Sequence, residues 1–231
     1  MADIYWAGDS TVQFNSIYTF PQTGMGQVLN LYLDPDVKVY NRGKNGRSTK
    51  SYIEQGRLTW IKEHIQEGDF LFISFAHNDE KEADPLRYTT PYGTYAENLG
   101  VFINTALEKK AHPVLITPIE RRCFDENGKL GPGEHGEYVN SMKKVAEKNN
   151  VPCIDLYTKS RELLNELGPE KAKSLHVVVP AGKYPKFPDG MDDLTHLCYE
   201  GAVKYCGYIA EGLRDLGGIY EELLFDPQKE F

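Results

Sequence analysis

Two runs of this chain, "FLFISFA" at 70 to 76 and "HPVLITP" at 112 to 118, are apolar almost throughout. A strand with one wet face alternates apolar and polar residues. A run that does not alternate belongs to a strand buried on both faces, as in a parallel sheet covered by helices. Three further short runs fit the same sheet: "DIYWAG" (3 to 8), "VKVYN" (37 to 41) and "VPCIDL" (151 to 156). Between them lie segments of helical period. Leu99, Phe102, Ile103, Ala106 and Leu107 fall on one stripe, Leu58, Ile61 and Ile65 on a shorter one, and a last helix is expected over 199 to 216.

The fold class predicted from this alternation is α/β, a three-layer, doubly wound, flavodoxin-like arrangement with a five-stranded parallel sheet. Right-handed crossovers give its strands the order 2-1-3-4-5, and ligands then bind at the carboxyl ends of the strands. No internal repeat or Pro/Gly/Ser-rich linker divides the chain, so residues 1–231 are read as one domain. Two long polar stretches, 79 to 94 and 176 to 195, are read as loops.

Charge excludes some functions. Lys and Arg number 26 against 34 Asp and Glu, a formal charge of -8, so there is no basic face on the scale a nucleic-acid partner needs. No apolar run approaches the ~20 residues of a membrane span. Met1 leads through Ala2 and Asp3 straight into the first strand, which leaves no secretory leader to read. The expected location is the cytoplasm, or outside the cell had a leader been removed. Cys123, Cys153, Cys198 and Cys206 show no C-x-x-C spacing and are expected as reduced thiols.

Four stretches fall at or near the carboxyl edge of the expected sheet. "GDST" places Ser10 just after strand one, where it is either the N-cap of a first helix or a nucleophile. "NRGKNGRSTKSY" (41 to 52) carries Gly43 and Gly46 where a backbone N–H can approach a ligand; its basic residues lack the phosphate-loop spacing. "SFAHNDEK" (74 to 81) ends strand three in His77, Asn78 and Asp79, and Asn78 either donates to an oxyanion or closes a turn. "GMDDLTHLCYEGA" (190 to 202) holds Asp193 and His196 three residues apart, close enough for the carboxylate to fix the imidazole tautomer.

In this order the four blocks resemble the SGNH, or GDSL, hydrolase superfamily. "AGDST", "NGRSTKSY", "FAHND", "TPIERRCFDENGKL" and "DDLTHL" resemble its rhamnogalacturonan acetylesterase group, with Ala76 where the third block usually has glycine. The resemblance implies a serine esterase that removes O-acetyl groups from plant cell-wall carbohydrate. It implies Ser10 as nucleophile, His196 as base and Asp193 as orienting acid. It places the oxyanion hole at the N–H groups of Ser10 and Gly46 and the Asn78 amide. His77 and Arg122 are expected at the substrate, with Arg47, Arg87 and Arg121 as further candidates for a uronate carboxylate. No metal or organic cofactor is called for, and the expected partner is an acetylated oligosaccharide or polysaccharide. Other acylhydrolase substrates, an acetylated xylan or other sugar, a thioester or a lipid ester, stay open. The alternative reaction class is a metal-dependent phosphoesterase using His77, Asp79, Asp192, Asp193 and His196. The non-enzymatic alternative is a carbohydrate-binding or scaffold protein on the same sheet.

Overall fold

The computed structural model describes residues 2–133 and 135–226. Five parallel strands, β1 (Ile4–Gly8), β2 (Val39–Asn41), β3 (Phe70–Ser74), β4 (His112–Ile116) and β5 (Cys153–Ile154), form one sheet in the order β2-β1-β3-β4-β5. This is the predicted order. Each strand is shorter than its apolar run: β1 and β2 lose residues at the amino end, while the last residues of the β3 and β4 runs leave the ladder at the carboxyl edge.

Alternation of side chains along a strand decides what each face holds. Ile4, Trp6, Phe70, Phe72, Val114 and Ile116 point to one side and form a core with Met25, Leu29, and residues of α5 (Leu156–Lys171) and α6 (Tyr199–Leu216). Tyr5, Ala7, Leu71, Ile73 and Leu115 point to the other, against α1 (Thr49–Glu54), α2 (Arg57–His64), α3 (Ala96–Leu107) and α4 (Gly136–Asn149). A short α7 (Gly218–Glu221) follows α6. Among the described residues no helix is long and apolar enough to cross a membrane. All four cysteines are free thiols.

Two expectations fail. No α-helix follows β1: residues 9 to 38 hold only three single-turn helices, and the first α-helix is α1, after β2. Gly24 and Gly26 lie in this stretch, each so close to the backbone of Val12 that a Cβ would stand within 3 Å of it. A regular helix with side chains there has no room. Ser10 is therefore not a helix cap. The stretch 176 to 195 is not a loop but an antiparallel hairpin of β6 (His176–Val179) and β7 (Met191–Leu197).

Asp79, at the mouth of β3, is fully buried and ties the sheet edge to both flanking segments. It accepts the Thr49 N–H at 3.0 Å, the Thr49 hydroxyl at 2.5 Å and the Thr89 hydroxyl at 3.0 Å, fixing the first turn of α1. Burial pushes its carboxyl up to about 8, against the pull of these threonine donors. An acid raised on folding stabilises most below its unfolded value of about 3.9 and loses that contribution as pH rises through its folded value. Asp79→Asn does not titrate. Its stability deficit against the parent is expected to narrow as pH climbs from about 4 to about 8, read from denaturant midpoints. A deficit that widens over that range would contradict it.

Candidate active site

Gly8 ends β1 in close contact, for a Cβ there would meet Val12 Cγ2 at 2.6 Å and the Ser74 carbonyl at 3.1 Å. The chain then turns once. The Asp9 carbonyl accepts from Val12 and Gln13 N–H at 3.3 and 3.1 Å, and its Oδ1 accepts the Thr11 N–H and hydroxyl, each at 2.9 Å. Asp9 is thus the capping residue of this turn, and Ser10 stands at its crest, 6 % exposed.

The second part comes from β7. His176 pairs with Leu197 and Val178 with Asp192, so residues 193 to 196 stand opposite Val177 alone. The surplus residues bulge into a turn that Asp193 closes: its Oδ1 accepts the Thr195 and His196 N–H groups, both at 2.7 Å. Its Oδ2 meets His196 Nδ1 at 2.7 Å. A carboxylate only accepts, so Nδ1 carries the proton and Nε2 presents a lone pair. Nε2 lies 3.0 Å from Ser10 Oγ. Burial alone would raise the Asp193 carboxyl, but the His196 ring and the two N–H donors outweigh it and hold it at about 2.

Two arginines after β4 brace this turn from behind. Arg122 is buried; its guanidinium pairs with the Asp192 carboxylate and reaches the Asp193 carbonyl at 3.4 Å, while its N–H donates to Leu194 O at 2.8 Å. Arg121 spans from Thr195 Oγ1 to the His77 carbonyl and pairs with Glu80.

Gly46 and Asn78 complete the edge. Lys44 to Arg47 form a turn, closed by Arg47 N–H to Lys44 O at 3.2 Å, in which Gly46 takes φ +75°, a left-handed conformation suited to glycine. Lys44 N–H to Gly8 O at 2.9 Å and Asn45 N–H to Gln13 Oε1 at 2.6 Å dock this turn on the Ser10 turn. Asn78 donates one amide hydrogen to Arg47 O at 3.1 Å, and its carbonyl accepts Arg87 Nη1 at 3.2 Å; Arg87 in turn is held by Asp84 at 2.6 Å. The second amide hydrogen of Asn78 has no hydrogen bond within the described structure. Beside it, Gly46, Arg47, Gln55, Asp84 and Arg87 line a hollow of about 370 Å³.

Comparison with known proteins identifies the family. Residues 7–197 match the model of the GDSL-like lipase/acylhydrolase family. The chain belongs to that family. It is 44% identical over 93% of its length, and 90% of the relative's, to the rhamnogalacturonan acetylesterase RhgT of Bacillus subtilis. It is 39% identical, over 93% of both chains, to the probable rhamnogalacturonan acetylesterase YesY of the same organism. Among solved structures it superposes on the Bacillus subtilis protein YxiM with a TM-score of 0.77 at 25% identity. That match covers 94% of this chain and 57% of the other, so this family member spans little more than half of that longer protein.

The two residues expected at the substrate, His77 and Arg122, are both buried in the structure. His77 is buried, and its ring lies edge-on against His135, the centroids 4.4 Å apart. Burial first, then His135 and Arg121, holds it well below the ordinary imidazole range, so it is neutral. Arg122 is consumed by Asp192 and the Asp193 carbonyl. The ligand set of a phosphoesterase does not gather into one cluster among the described residues: Asp79 is held by threonines, Asp192 is paired with Arg122, and His196 is engaged by Ser10 and Asp193. Sequence reading missed Gln13, Asp84 and the Glu80–His135 pair; "DEK" and "DPLRY" sit beside a recognised block but have no spacing of their own.

Arg122→Ala is expected to lower kcat for ester hydrolysis by up to about 100-fold, through misplacement of the His196 turn, with KM changed little. Steady-state kinetics on neutral and acidic acetylated sugars checks this. A rise in KM confined to acidic sugars, with kcat intact, would return Arg122 to the substrate.

Proposed function

We propose that this chain is a serine esterase that removes acetyl groups from rhamnogalacturonan-type carbohydrate. Ser10 is its nucleophile, His196 its general base and Asp193 the orienting acid. The observation that carries the reading is the unbroken chain Ser10 Oγ, His196 Nε2, His196 Nδ1, Asp193 Oδ2, with steps of 3.0 and 2.7 Å. The substrate class rests on the two relatives named for that activity, each matched over nine-tenths or more of its length.

A serine hydroxyl is a weak nucleophile at neutral pH, and His196 supplies what it lacks by taking the proton as Oγ attacks the ester carbonyl carbon. The charge that develops on the carbonyl oxygen is met by the N–H groups of Ser10 and Gly46 and by the second amide hydrogen of Asn78. The tetrahedral intermediate collapses; His196 returns the proton to the leaving sugar hydroxyl, and acetyl stays on Ser10. Water, deprotonated by His196, then releases acetate and restores the serine. Asp193 is charged throughout, since its carboxyl is held at about 2, and it stabilises the imidazolium that forms twice per turnover.

Arg47 and Arg87 border the hollow beside Gly46 and supply the positive charge that a galacturonate carboxylate would meet there. Arg87 is shared with Asp84 and Asn78, so it also sets the angle of the Asn78 amide.

Ser10→Ala is expected to abolish acetate release from acetylated rhamnogalacturonan while leaving the melting temperature close to the parent's. Asn78→Ala is expected to reduce kcat roughly 10²- to 10³-fold. Acetate quantified from purified variants checks both; full activity in Ser10→Ala would end the serine mechanism.

A further inference from the structure

A second cluster of titratable side chains begins one residue from Asn78 and plays no part in the acyl transfer. His77 follows β3, Glu80 comes three residues later, and His135 stands at the entry to α4. Each offers one donor atom, and the three lie within 4.8 Å of one another. His135 Nδ1 meets Glu80 Oε2 at 2.5 Å.

A separate observation concerns hydrogen bonding. His77 is 4 % exposed and His135 is fully buried. Yet neither ring nitrogen of His77, nor Nε2 of His135, has a hydrogen-bond partner among the described residues. Buried polar atoms without partners are costly, and each such group in a native fold calls for a reason. Two imidazoles and a carboxylate are a donor set that zinc takes.

We infer that His77, Glu80 and His135 form a binding site for a divalent transition-metal ion of the zinc type, structural in role and separate from the ester chemistry. The ion takes the place of the hydrogen bond between His135 Nδ1 and Glu80 Oε2, binding both atoms while the neutral His135 ring keeps its one proton on Nε2, and a ring nitrogen of His77 supplies the third donor. Ligand atoms about 2.0 Å from a tetrahedral zinc stand about 3.3 Å apart, so the widest pair closes in by no more than about 1.5 Å while His135 Nδ1 and Glu80 Oε2 move apart by about 0.8 Å. Arg121 keeps the other Glu80 oxygen and orients the carboxylate, as outer partners do around metals. Its charge also opposes the ion, so the affinity is modest. Bound, the ion cross-links the mouth of β3, which carries Asn78, to the start of α4.

The test uses the full chain, stripped with chelator and titrated with zinc chloride by calorimetry. Retained zinc is counted by elemental mass spectrometry after gel filtration, and cobalt(II) serves as a visible-spectrum probe. Expected are one zinc per chain, a cobalt spectrum of nitrogen and oxygen ligation, and a higher melting temperature with metal. His135→Ala and Glu80→Gln are each expected to weaken binding roughly 100-fold, with circular dichroism confirming that both are folded. No zinc retained by the parent protein, or binding unchanged in both variants, overturns the site. The readout is bound metal, so the result stands apart from whether acetate is released.

Discussion

The carboxylate of Asp193 is the point from which the site is organised. Its Oδ1 closes the turn of residues 193 to 196 on two N–H groups, and its Oδ2 holds the His196 ring. One side chain therefore shapes the backbone that carries the histidine and also fixes the histidine's tautomer. The two tasks are inseparable: a turn of another shape would aim Nε2 away from Ser10, and a ring of the other tautomer would have no lone pair to offer it. Burial opposes the charge, and the donors overcome it. Arg122 then buttresses the turn through Asp192 and the Asp193 carbonyl.

What faces this turn is a sheet edge assembled by similar economy. Asp9 folds the Ser10 turn on itself, Lys44 and Asn45 dock the Gly46 turn against it, and Asp79 locks the start of α1 to the end of β3. Arg121 connects the halves, reaching Thr195 on one side and the His77 carbonyl on the other. The serine, the glycine, the asparagine and the histidine come from segments far apart in the chain, and short polar contacts between backbone and side chain set their separations.

Much of this was legible in the sequence, for identifiable reasons. The strands of a buried parallel sheet cannot carry polar residues on either face, so "FLFISFA" and "HPVLITP" announced themselves, and their order followed from handedness. The spacing of Asp193 and His196 is local and survives translation into structure, although it sits in a strand bulge and not in an isolated turn. The helix expected after β1 is absent because packing of Gly24 and Gly26 against Val12 overrides local pattern. The β6–β7 hairpin was hidden because Pro180, Gly182, Pro185, Pro188 and Gly190 between its strands read as loop. The burial of His77 and Arg122 is not legible for a simpler reason: residue type reports what a group can bind, and only the fold decides which way it faces.

In the mechanism proposed, Ser10 becomes covalently acylated because His196 activates it. The most direct measurement of this is intact and peptide mass spectrometry after incubation with an aryl alkylphosphonate, in parallel with residual activity on an acetyl ester. One adduct per chain is expected, located on Ser10, accumulating in step with loss of activity, and absent from His196→Ala over the same interval. Complete inactivation with no label on Ser10, or equal labelling of Ser10 in His196→Ala, would contradict it.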